Sequence, residues 1–159
     1  GPGNRGNVYN LLKQINSKKF FMIGNGKNFK SLAYVDNLAA FLLHALYLNN
    51  DKLILNYCDK PDLSMEELVS ISRNLIHNKK GLGYKIPKWI GLTLGYMMDV
   101  ISLIFNKRFA VNSDRIKKFL SNTSFISNSE IVNKFQRPYD IREALEKTIK
   151  KEFTFKKKS

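Results

Sequence analysis

Gly24-Asn25-Gly26-Lys27-Asn28-Phe29-Lys30-Ser31-Leu32-Ala33-Tyr34-Val35-Asp36 is the stretch around which this chain is organised. Lys19 to Ile23, just before it, is apolar and reads as extended. Gly24 and Gly26 reach backbone angles closed to other residues, so the turn between them can be tight. Ser31 to Val35 reads as a second short strand. Asp36 reads as the cap of an apolar helix, its carboxylate accepting from the orphan N–H groups of the first turn. Lys27 and Lys30 leave the turn with no acidic neighbour in sequence, so it can hold an anion, a phosphate above all. An ordinary hairpin carrying two solvated lysines is the competing reading.

The chain has 159 residues and a hydrophobic share of 43%, enough for one core. Its net charge is +14, from 27 Lys+Arg against 13 Asp+Glu. That field favours anionic partners: nucleic acid, anionic lipid or phosphorylated metabolites. AT-rich coding alone also produces a chain so rich in Lys, Asn, Ile and Phe. No RNA-binding aromatic motif, zinc-finger spacing or helix-turn-helix pattern is present, so nucleic acid is not the expected partner. Cys58 is the single cysteine, which excludes an internal disulfide and two-thiolate zinc motifs. No metal set is expected. The polar, glycine-rich start carries no secretion signal, and a cytoplasmic setting is expected. Gly1-Pro2-Gly3 reads as mid-loop, so the chain is expected to be a piece of a longer protein.

Outward from the turn, Asn7 can cap a helix bearing Val8, Leu11, Leu12 and Ile15. The helix from Asp36 to about Leu48 is expected to bury Ala39, Ala40, Leu42, Leu43 and Leu46, with His44 a core histidine. Leu53 to Tyr57 is a continuous apolar run, as in a strand covered on both faces, and Asp59 to Asp62 reads as a loop. Ser64-Met65-Glu66-Glu67 is a capping box opening a helix that buries Leu68, Ile71 and Leu75. Tyr84 to Ile86 reads as a short strand, and Pro87 suits a first helical turn. Trp89 to Phe105 is apolar apart from Asp99, and short beside the about 20 residues a membrane span needs. Burial inside the protein or at a subunit contact is expected of it, with peripheral membrane contact through a basic rim as the alternative. Asn112 or Ser113 caps a basic helix whose Ile116, Phe119 and Leu120 face inward. Ser124 to Ser127 is extended, Asn128 to Phe135 helical, and Asp140 caps a last helix carrying Ile141, Ala144, Leu145, Thr148 and Ile149.

These motifs, in this order, resemble the extended short-chain dehydrogenase/reductase family of nucleotide-sugar epimerases, dehydratases and reductases. There a Gly-x-Gly turn is followed by a basic residue and an aromatic-Val-Asp that opens a helix, as in Gly24 to Asp36. Gly1-Pro2-Gly3 with Asn7 is similar to the second half of the family's Tyr-Gly-Pro-Gly turn and the Asn that touches substrate. Ser64-x-x-Glu67-Leu68 and the Pro138 turn before the last helix also match. The resemblance implies an α/β fold: the C-terminal part of a Rossmann-type extended short-chain dehydrogenase/reductase, mostly helical with a few short strands. Residues 1–155 would be its substrate-binding portion and 156–159 a basic tail. It implies Asn7 and Lys30 as substrate contacts, with Arg115 and Lys117 as further candidates on the diphosphate or uridine side. A solvated helix face is the competing reading for the last two.

The family's reaction needs a Gly-x-x-Gly-x-x-Gly loop for NAD or NADP and a Tyr-x-x-x-Lys pair on one helix. The glycine loop is absent. Tyr84-Lys85-Ile86-Pro87-Lys88 has the spacing, but Pro87 breaks the helix that would align the two side chains. No catalytic residue and no cofactor are therefore expected in this chain alone. The parent protein is expected to be an NAD(P)-dependent sugar epimerase, 4-ketoreductase or dehydratase, a homodimer acting on a nucleoside-diphosphate sugar such as a UDP-sugar. The alternative is a basic, non-enzymatic module for anionic membrane surface or nucleic acid.

Overall fold

The computed structural model describes residues 1–48, 54–107, 112–126 and 130–154. The chain begins with α1 (Asn7–Asn16), β1 (Met22–Ile23), β2 (Phe29–Leu32) and α2 (Val35–Ala45). β3 (Asp59–Ser64), α3 (Met65–His77), β4 (Lys85–Ile86) and α4 (Lys88–Phe105) follow. Last come α5 (Ser113–Leu120), α6 (Glu130–Lys134), α7 (Ile141–Ile149) and a π-helical turn at Lys150–Thr154. Helix and strand are mixed and the sheets are short. β1 runs parallel to β4, and β2 antiparallel to β3 with Lys30 opposite Leu63.

Local chemistry explains the helix starts. Ser64 Oγ accepts from the Glu67 N–H at 3.2 Å while a Glu67 carboxylate oxygen accepts from the Ser64 N–H at 2.8 Å, a reciprocal capping box. Asp140 and Glu143 repeat the arrangement at the start of α7. Asn112 caps α5 by accepting from Arg115 N–H at 2.9 Å. The core forms where α1, α3 and α7 bring Leu11, Ile15, Leu68, Val69 and Leu145 against Met22 of β1 and Leu63 of β3. Burying each large apolar side chain contributes about 1.5–3 kcal/mol. The turn holding Gly26 lies directly on the start of α3. Gly26 has φ 73°, and a Cβ there would stand 3.1 Å from the Glu66 backbone nitrogen. The Gly26 and Asn28 carbonyls accept from Glu66 and Met65 N–H, both at 2.9 Å.

Several expectations are corrected. The second strand is Phe29–Leu32, so Lys30 sits within β2 rather than in the turn. Asp36 does not cap α2: Tyr34 occupies the cap position without a side-chain bond, and Asp36 lies in the first turn, where the helix dipole still favours a negative charge. Asn7 is the first residue of α1 behind a Gly6 cap. Pro87 likewise caps α4 from outside it. The stripe expected on α2 faces outward: Leu42, Leu43 and Leu46 are exposed, and Asn37 and Phe41 are the buried pair. His44 is exposed too, its ring 5.4 Å from that of Phe135. No strand forms over 54–57, and Ile54 is 86% exposed; Leu53 lies outside the described residues. The strand is instead Asp59–Ser64, whose ladder partner β2 supplies bonds that its own polar sequence does not advertise. Residues 127–129, part of the expected Ser124–Ser127 and Asn128–Phe135 elements, and the 156–159 tail lie outside the described residues.

Leu68 is 2% exposed at the centre of this core. Leu68→Ala is expected to destabilise the fold by about 2–5 kcal/mol, read from urea denaturation.

Candidate functional site

β2 is bonded along both edges. On one side lies β3; on the other, Ser31 N–H donates to the Thr123 carbonyl at 2.9 Å and Thr123 N–H to the Phe29 carbonyl at 3.0 Å. Between these edges sits a carboxylate with three donors. Asp62 accepts from Ser31 Oγ at 2.8 Å, from Lys60 Nζ at 2.9 Å and from Ser124 Oγ. Burial alone pushes the Asp62 carboxyl up, but the hydrogen bonds from Ser124, Lys60 and Ser31 outweigh it and hold its pKa below 3.8. Lys60 Nζ also donates to the Phe125 carbonyl at 2.7 Å, and Phe125 N–H donates to Ser31 Oγ at 2.8 Å. The network fastens residues 123–125 to β2 and β3.

The same strand fastens α5. Lys30 Nζ donates to the Lys118 carbonyl at 3.1 Å and to the Ser121 carbonyl at 2.7 Å. Asn28 Nδ2 donates to the Phe119 carbonyl at 2.8 Å and reaches Ser121 O at 3.2 Å. A cation and an amide therefore satisfy the carbonyls that the C-terminus of a helix leaves open, at its negative dipole end. Partial burial lowers the pKa of the Lys30 ammonium. Arg115 and Lys117 are exposed on the same helix, so three of the four candidate residues gather on or against α5. Lys117 Nζ stands 5.0 Å above the Tyr96 ring, a cation–π contact with α4.

Asn7 belongs to a different neighbourhood. The loop before it is tied to the far end of the chain, where Gly3 N–H and Arg5 both donate to Glu152, at 2.7 and 2.5 Å. Among the described residues no hydrogen bond or ion pair joins Asn7 to Lys30. A cavity of about 500 Å³ lined by His44, Leu48, Ile131, Lys134, Phe135 and Gln136 contains none of the four.

Sequence reasoning missed Asp62, Asp59 and Asn37. Asp59 is 1% exposed and accepts from Tyr34 N–H at 2.7 Å and Tyr57 O–H at 2.9 Å. Asn37 exchanges two bonds with the Tyr139 backbone, at 2.9 and 3.0 Å, pinning α2 to the turn before α7. Most of their partners are distant in sequence, and nothing in Asp59 to Asp62 itself signals a strand.

Tyr9 and Lys13, four residues apart on α1, have the Tyr-x-x-x-Lys spacing, with the Tyr9 ring stacked on Phe153. The chain has no Gly-x-x-Gly-x-x-Gly loop, Tyr84 is exposed ahead of β4, and Lys88 opens α4 on the other side of Pro87. Among the described residues no group of His, Cys, Asp and Glu could hold a metal ion.

Comparison with known proteins gives one relationship to report. The chain is 42% identical, over 160 aligned residues, to the N-acetyl-alpha-D-glucosaminyl-diphospho-ditrans,octacis-undecaprenol 4-epimerase of Escherichia coli O157:H7. The alignment takes in 99% of this chain and 48% of that protein, so the chain spans about half the length of the curated relative it matches. The similarity is thus to an epimerase. No protein-family profile matches the chain, and no solved structure matches it.

Asp62→Asn is expected to destabilise the fold by about 1–3 kcal/mol at neutral pH, because charge-assisted bonds to three donors weaken together. The folded-state pKa of Asp62 is depressed, so its contribution is full above pH 3.8 and is lost as acid carries the solution down through the folded value. Denaturation curves of the two proteins should therefore converge in strong acid.

Proposed function

We propose that this chain is the substrate-holding portion of an NAD(P)-dependent 4-epimerase of the extended short-chain dehydrogenase/reductase kind. Its substrate is a sugar joined to its carrier through a diphosphate. What carries the reading is 42% identity along 99% of the chain to an epimerase whose name specifies such a substrate. That relative's carrier is undecaprenol, and a polyprenol is the carrier proposed here in place of the nucleoside expected from sequence.

Within this reading the chain's work is electrostatic. Lys30, Arg115 and Lys117 surround α5 and supply positive charge for the diphosphate, with Asn7 as a polar contact from the other end of the portion. Lys30 is anchored by two carbonyls and partly buried, so its ammonium is held in place before a diphosphate arrives. The chain has no Gly-x-x-Gly-x-x-Gly loop, so dinucleotide binding is proposed for residues outside it and no step is derived through the cofactor.

The test supplies the intact protein and NAD(P) with N-acetylglucosaminyl-diphospho-undecaprenol and separates the 4-epimers. Conversion is expected, and Lys30→Ala should lower kcat/KM roughly ten- to hundredfold, about 1–3 kcal/mol, mainly through KM. Absence of any epimer from lipid-linked and nucleoside-linked sugars alike overturns the reading. Faster conversion of a UDP-sugar overturns the polyprenol assignment.

A further inference from the structure

Helix α4 is long and apolar enough to cross a membrane, yet the chain buries almost none of it. The burial inside the protein expected from the sequence is not supplied by this chain. Trp89, Leu103 and Ile104 are 70%, 83% and 71% exposed, and Leu94, Tyr96, Met97 and Val100 join them on the outward side. At 100° per residue these positions span about half of the helix circumference. The polar groups in that arc are the Tyr96 phenol and Thr93, whose hydroxyl donates to the Trp89 carbonyl at 2.9 Å.

The opposite side of α4 is committed. Gly91 and Gly95 are buried, and a Cβ on either would stand 2.5 Å from an Ile23 methyl or 2.9 Å from the Ser113 Cα. Asp99, the single charge between Trp89 and Phe105, faces α5, where its carboxylate accepts from Ser113 N–H at 3.3 Å. The helix cannot roll its outward face inward without breaking both contacts. Basic residues frame that face: Lys88 and Lys107 are exposed at its two ends, and Lys117 reaches over Tyr96 from α5. The whole chain carries +14.

We propose that α4 is a membrane-docking helix that lies in the plane of an anionic bilayer, its uncharged outward face entering one leaflet and its lysine rim meeting the headgroups. Charge complementarity selects the bilayer as occupant: an apolar arc rimmed by cations is what anionic lipid binds. Crossing is disfavoured, because Asp99 lies mid-helix and the basic helix α5, attached to α4 through Asp99 and Gly95, would be drawn in as well. The inference stands on α4 and its rim, independently of the epimerase reading, and its test needs no substrate.

Trp89 is the sole tryptophan of the chain, so it reports directly on this face. The full chain is mixed with vesicles of phosphatidylcholine, with and without phosphatidylglycerol, and followed by sedimentation and by Trp89 emission. Expected are co-sedimentation with the anionic vesicles, a blue shift of Trp89 and release at high salt. Val100→Asp with Ile104→Asp, both at exposed positions, should weaken vesicle binding roughly tenfold or more while leaving the circular dichroism unchanged. Wild-type protein that stays in the supernatant overturns the proposal. So does binding that the double variant leaves intact. A dimer that ignores vesicles and falls to monomer in the double variant also overturns it, in favour of a second copy on α4.

Discussion

The tie that the rest of the structure hangs on is the double bonding of β2. One four-residue strand has β3 on one edge and residues 123–125 on the other, and its side chains reach two more elements. Ser31 meets Asp62, which also gathers Lys60 and Ser124. Lys30 and Asn28 close the end of α5. Because α5 in turn holds α4 through Asp99 and Gly95, the position of the apolar helix descends in part from the same strand. Each such bond is modest in net terms, near 1 kcal/mol, but a buried group left without its partner costs more, so the network favours one arrangement.

The positive charge of the chain divides into two kinds. Lys60 and Lys30 are spent on internal oxygens: a carboxylate and main-chain carbonyls. Lys88, Lys107, Lys117 and Arg115 stand on the surface around α4 and α5. The anchored lysines fix geometry, and the surface group, with the half-buried ammonium of Lys30 beside it, sets the field that an anionic substrate or lipid would meet.

Much of the helical layout is legible in the sequence. Ser64 with Glu67 and Asp140 cap as read, and Asn112 is the cap of the two residues read for α5, because a capping bond spans three residues and depends on little else. Gly24 and Gly26 turn with positive φ as read. The strands were harder. Phe29–Leu32 starts two residues and ends three residues before its reading of Ser31 to Val35, and the apolar run ending at Tyr57 forms no strand over its described part. Of the candidate site, the cation at Lys30 was legible as a basic residue after a glycine turn, whereas its attachment to the Lys118 and Ser121 carbonyls was not.

The sequence by itself determined where α3, α5 and α7 begin, where the chain turns at Gly24 and Gly26, that the chain is strongly basic, and that it lacks a dinucleotide loop. These are properties of neighbouring residues or of composition, and they survive any packing. Only the tertiary structure decided which faces are inside. Leu46 and Leu103 stay exposed while Asn37 and Asp59 are buried, because burial follows the partners a distant segment offers: Tyr139 for the amide, Tyr34 and Tyr57 for the carboxylate. Hydrophobicity ranks residues for the interior, but bonds across long stretches of chain choose among them.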